Sequence, residues 1–160
     1  MIEILKKIAI SNLINKNSGN KPSAFLNWDR ISSILLIIDD KQLNKNQLDV
    51  FLESLNKHIE IYFIDSNAKV PAYSDFKSVL AKDLNWMGIP KNIKSGNYDL
   101  IINACPQNNT AAIALSVVNK AKVKCSMFDY REVYNLMIQP KANLIDNLKE
   151  MVHYLKMITN

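Results

Sequence analysis

Two adjacent carboxylates, Asp39 and Asp40, close the apolar run at residues 34–38, and Cys105 stands two residues after Asn103 at the end of a second run, 98–103. Adjacent acids at a strand end can hold a hard cation such as Mg²⁺ through one or two oxygens, with water completing its shell. Aspartate and asparagine are also the preferred helix caps and turn residues, and capping is the simpler account of Asp39, Asp40 and Asn109. No cofactor is therefore expected, with Mg²⁺ at the paired acids as the alternative. Cys105 would make a nucleophile if the amino end of a helix beginning near Asn109 lowered its pKa. A general base is missing from its neighbourhood: His58 precedes a strand and belongs at the opposite end of a parallel sheet, and His153 falls in the terminal helix. A small buried cysteine is the better reading. Two histidines and two scattered cysteines supply no set of four converging zinc ligands.

Phosphate-cradling loops are a clear negative. Gly19, Gly88 and Gly96 are the only glycines, and none falls in a strand-to-helix turn, so neither a Walker nor a dinucleotide fingerprint is present. Nucleotide binding by another geometry stays open at the helix after Asn109, whose free backbone amides favour an anion. Asn85-Trp86-Met87-Gly88 is the remaining unusual segment. A tryptophan in a loop bounded by Gly and Pro either packs on the edge of the core or recognises a partner, and its type alone leaves both open.

These residues need elements to position them. Leu5, Ile8, Ala9, Leu13 and Ile14 recur at helical spacing, which predicts a helix over residues 2–15 docked on the domain. Too few bulky aromatics lie on its apolar face for a membrane-surface anchor. The nearly continuous β-branched and leucine run at 31–38 predicts a strand covered on both faces, the usual state of a central parallel strand. A helical period through Leu43, Leu48, Phe51, Leu52 and Leu55 leads to a second strand at 59–64. Residues 66–97 carry mixed signals around Pro71, Pro90 and Gly96, with one short apolar piece at 76–80. A third strand at 98–103, a small-residue helix at 109–120 and a fourth strand at 123–128, alternating with lysine, form another β-α-β unit. A short extra strand at 134–138 precedes a closing helix. Its Leu144, Leu148, Met151, Leu155 and Ile158 form a stripe that serves either as core or as a dimer seam.

The fold expected is one α/β domain over residues 1–160, a three-layer sandwich with a mainly parallel, Rossmann-like or flavodoxin-like sheet. It comprises an N-terminal helix (1–16), a sheet core (30–138) with strand order second-first-third-fourth, and a C-terminal helix (141–159). Composition agrees: 48% hydrophobic and 22% charged residues are those of an ordinary globular chain. The net charge of +5 is carried by lysine, Arg30 and Arg131 being the only arginines. Without clustered basic residues interleaved with aromatics, nucleic acid is an unexpected partner. Isolated cysteines and a start lacking a signal-peptide h-region point to the reducing cytoplasm, and no apolar run is long enough for a membrane span.

Residues 34–40 and 98–102 resemble the first and third strands of a response-regulator receiver domain, where paired acids bind the metal of phosphoryl transfer. That family phosphorylates an aspartate at the end of the third strand, where this chain reads Asn103-Ala104-Cys105-Pro106. A second resemblance is carried by Lys82-Asp83-Leu84-Asn85-Trp86-Met87-Gly88, Tyr98-Asp99-Leu100-Ile101-Ile102-Asn103 and Tyr134-Asn135-Leu136-Met137-Ile138, in order and spacing. Together these are similar to an uncharacterised bacterial family of small α/β proteins, a domain of unknown function. Asn135 departs from the aspartate usual in that family. The resemblance implies a fold and brings no activity.

The leading expectation is a non-catalytic cytoplasmic module that binds a protein partner or itself through Asn85, Trp86 and Leu155 of the C-terminal stripe. The competing one is a small-molecule or nucleotide site, Mg²⁺-dependent in one version, at Asp39, Asp40, Asn103, Cys105 and Asn109.

Overall fold

The parallel sheet that positions these residues grows from its most apolar strand. In the computed structural model, which describes residues 1–158, β1 (Ser33–Ile38) is flanked by β2 (His58–Asp65) on one side and β4 (Asn97–Asn103) on the other. Residues 34–38 of β1 are all at most 1% exposed. Burying each such side chain stabilises the fold by about 1.5–3 kcal/mol, so a charge at Leu36 would remove the sheet's centre. β3 (Lys77–Leu80), β5 (Lys120–Ser126) and β6 (Leu136–Met137) complete six all-parallel strands in the order β3-β2-β1-β4-β5-β6. This is the order of the doubly wound dinucleotide-binding folds, with the reversal of winding between β1 and β4. The expected arrangement of the four main strands is found at its centre, and the sheet is parallel throughout.

Alternation along the strands divides the core between two faces. Ile34, Leu36, Ile38, Leu100, Ile102 and Val123 pack against α2 (Lys45–Leu55) and α4 (Leu144–Met157). On the other face Leu35, Ile37 and Ile101 meet α3 (Thr110–Val118). Asparagines start the last three helices: the side chains of Asn44, Asn109 and Asn143 accept from the backbone N–H groups of Gln47, Ala112 and Asp146. The α4 stripe is core: Leu144, Leu148, Met151 and Leu155 are buried against the sheet, so Leu155 offers nothing to a partner. Position 159 of the predicted terminal helix lies outside the described residues.

Four details depart from the sequence expectation for physical reasons. The 66–97 segment contributes β3, paired with β2 from Tyr62–Lys77 to Asp65–Leu80, because its apolar piece completes the sheet edge. α3 stops at Val118 because the Asn119 amide turns back to donate to the Leu115 carbonyl, and its Oδ1 accepts from Gly96 N–H. β5 therefore begins at Lys120, earlier than its lysine alternation implied. α1 (Ile2–Lys16) docks on α3, but through Ile10 and Ile14, packed with Ile113, Ala114 and Val117. Ile8 is 51% exposed and Ile2, Ile4 and Leu5 also face solvent, so the predicted stripe is realised only in the second half of the helix.

Candidate functional site

All six strands point the same way, so their carboxyl ends form one edge, and the strand-end residues gather there. Successive residues of an extended chain face opposite sides, which parts the two acids after β1. Asp39 faces the α3 side and helps line a crevice of about 290 Å³ with Lys6, Ile64, Ser66, Gly88, Asn109 and Thr110. Asp40 borders a larger groove of about 750 Å³ between α2 and α4, lined by Leu43, Val50, Phe51 and Ile145 among others. The Asp40 carboxylate accepts from Gln42 N–H at 2.8 Å, a turn-forming role. Among the described residues no three His, Cys, Asp or Glu side chains converge as metal ligands.

Asp39 is tied into the wall. Its Oδ2 accepts from Asn109 Nδ2 at 2.7 Å, while Asn109 Oδ1 accepts from Ala112 N–H at 3.1 Å. The Cys105 thiol also hydrogen-bonds this carboxyl. Burial raises the Asp39 pKa against the lowering effect of these two bonds, and the Asp40 charge adds to the rise. Cys105 is fully buried, and burial first, then the neighbouring Asp39 charge, push its thiol well above the usual range. The helix end does not activate it. Cys105 stays a thiol and serves as a donor, the reverse of what nucleophilic catalysis requires.

Asn103 lies beneath the crevice floor. It is fully buried, its Oδ1 accepts from Cys105 N–H at 3.0 Å, and its Nδ2 donates to the Tyr134 hydroxyl at 2.6 Å. Tyr134 donates to Ser116 Oγ at 3.0 Å, and Ser116 to the Ala112 carbonyl at 2.9 Å. Lys124 Nζ donates to the Ser116 carbonyl at 2.6 Å. Lys124 is 1% exposed, and burial lowers its pKa to about 8. Sequence pattern missed it: Lys120 and Lys122 are exposed as alternation demands, whereas α1 and the 132–133 segment close over the third lysine. Asn135 holds that region, accepting from Lys124 N–H at 2.8 Å and donating to the Ala24 and Lys122 carbonyls. An aspartate could make the first contact and neither of the others.

The other strand-end acids are occupied. Asp65 pairs with Lys41 at 2.9 Å, a contact that lowers its pKa, and Asp129 meets Arg131 at 3.2 Å. His58 begins β2 at the amino edge, opposite Cys105.

The Trp86 segment forms the outer rim of the crevice. Asn85 N–H donates to the Ile89 carbonyl at 2.9 Å, Gly88 N–H to the Asn85 carbonyl at 3.0 Å, and Leu84 bridges Pro90. Asn85 Oδ1 accepts from both Met87 and Ile89 N–H groups, at 2.9 and 3.0 Å. Gly88 has φ +78°, which a side chain would strain, and it sits against Thr110 at the start of α3. Asn85 thus builds the turn, and Trp86 at its tip is 69% exposed. Lys6 of α1 borders the same crevice as Gly88, which places the exposed first turns of α1 beside this rim.

No helix among the described residues is long and apolar enough to cross a membrane. Neither a curated protein nor a solved structure matches the chain. A model for a family of unknown function, DUF6913, matches residues 3–158, spanning α1, the turn, the sheet and α4 alike, and the chain belongs to that family.

Proposed function

We propose that this protein is a non-catalytic binding module of the bacterial cytoplasm that docks a partner through the Trp86 turn and the adjoining first turns of α1. The observation that carries this reading is the exposure of Trp86 on a turn braced by four hydrogen bonds. A disordered tryptophan costs little to leave outside. An ordered turn that holds one in water forgoes roughly 1.5–3 kcal/mol of burial, which contact with a partner recovers. The reactive groups support the same reading, because Cys105 is sealed and protonated and Asn103 is spent on Tyr134. Sedimentation of the protein in its own cell extract tests this. Wild type should travel in a species heavier than the 18.2 kDa chain, and Trp86→Ala should return to the monomer position. Identical monomeric profiles for both would overturn the reading.

A small-molecule or nucleotide site at the crevice is the second reading, favoured by its position at the winding reversal between β1 and β4. Of the five strand-end residues that the sequence groups there, Asp39 and Asn109 border the opening, Cys105 and Asn103 lie behind it, and Asp40 turns away. A thermal-shift screen with nucleotides, phosphometabolites and Mg²⁺ should then give a hit lost in Asp39→Asn; a ligand at a hundred times its Kd adds about 2.7 kcal/mol. A flat screen would remove this reading.

A further inference from the structure

The exposed part of α1 has a defined geometry. At about 100° per residue, Ile10 and Ile14 project from one side of the helix, and Ile4, Leu5 and Ile8 from the other. The outward side changes character along the helix: Ser11, Asn12 and Asn15 continue it as polar residues. The apolar outer face is therefore confined to the end of α1 that borders the crevice rim, where Met1 and Ile2 extend it. Lys7 flanks it, Lys6 lies on the side of Ile10 toward the crevice, and the Trp86 turn beside it is preceded and followed by the exposed Lys82 and Lys91. Of the acids in these segments, Glu3 pairs with Lys6 at 3.4 Å, and Asp83 folds inward to accept from Leu80 N–H.

From this juxtaposition we infer that the face made by the first two turns of α1 and the Trp86 turn docks on an anionic phospholipid surface. This rests on the reading of that face as a docking surface and names its partner. Short aliphatic side chains ringed by lysines, with an aromatic at the margin, match what a helix lying in a membrane interface presents. Tryptophan favours the headgroup level, and lysines extend from buried stems to lipid phosphates. The helix alone lacks the aromatic, and the fold supplies it from residue 86. With Lys6 paired to Glu3 and Asp83 turned to Leu80 N–H, four lysines against two acids leave the rim net positive, the charge complementarity that selects an anionic leaflet over a neutral one.

The full-length protein carries its own reporter. Trp28 is buried, so a change in tryptophan emission on adding vesicles comes from Trp86. With phosphatidylglycerol-containing vesicles the emission should shift to the blue and the protein should co-sediment. With pure phosphatidylcholine, or in high salt, both effects should fall at least tenfold in apparent affinity. Ile4→Ser with Ile8→Ser should weaken binding tenfold or more, as should Lys6→Glu with Lys7→Glu. All four positions lie outside the core, and unchanged circular dichroism checks the fold. No shift and no co-sedimentation with anionic vesicles overturns the lipid assignment, as does binding indifferent to lipid charge and to both double variants. If vesicles fail while Trp86→Ala still changes the sedimentation in extract, the face is a protein-docking surface; if both fail, it is not a docking surface.

Discussion

The carboxyl edge of the sheet and the rim beside it reverse the usual allocation of side chains. At the edge and beneath it, polar groups with chemical capacity point inward: Asn103, Cys105, Ser116, Lys124 and Tyr134 are all buried, most of them in one hydrogen-bonded network. On the rim a tryptophan and several aliphatic residues point outward. Buried polar groups stabilise a fold when every partner is present and cost heavily when one is removed. Exposed apolar groups contribute nothing to an isolated chain and acquire value in contact. Stability and function are thus carried by different residues, and substitutions can separate them.

The largest effects are expected at Asn103 and Leu155. Asn103→Ala leaves the Cys105 N–H and the Tyr134 hydroxyl short of a partner in a buried site, and should lower unfolding stability by about 2–4 kcal/mol in denaturant titration. Leu155→Ala, in the packed α4 stripe, should cost a similar 2–5 kcal/mol through cavity formation, with no effect attributable to an interface. Lys124 gives an effect of opposite sign. Its folded pKa of about 8 lies below the unfolded value of 10.5, so the folded state releases its proton first. Stability should rise as pH climbs from about 8 to 10.5, and Lys124→Met should remove that rise and stabilise the protein at pH 7 by on the order of 2 kcal/mol. Trp86→Ala should change stability by no more than about 0.5 kcal/mol while removing docking. Equal losses of stability at residues 86 and 103 would erase the distinction between rim and edge.

Sequence pattern exposed the frame of this fold well and its finer choices poorly. The four central strands and four helices follow from apolar runs and helical spacing, because burial on two faces leaves a dense signal at β1 and β4. β3 was legible only as a short apolar piece, since an edge strand of four residues needs its neighbour to define it. At the site, sequence picked the strand-end residues and could not give their direction. Asp39 and Asp40 are adjacent and identical in type, yet they open onto different concavities. Lys124 repeats the pattern of Lys120 and Lys122 and is buried because α1, distant in sequence, and the 132–133 segment lie across it. Trp86 was marked as unusual with packing and recognition both open, and its exposure comes from a turn closed by Asn85 and Gly88.

A photoreactive benzoylphenylalanine at position 86, with the same residue at position 154 as a control, tests the central claim in living cells. Tyr154 is also exposed, but it lies on α4 on the far face of the sheet. Illumination should yield a covalent adduct to a partner macromolecule or lipid from position 86 and none from position 154. Absence of adducts at 86, or equal yields at the two positions, would contradict the assignment of the rim as the docking surface.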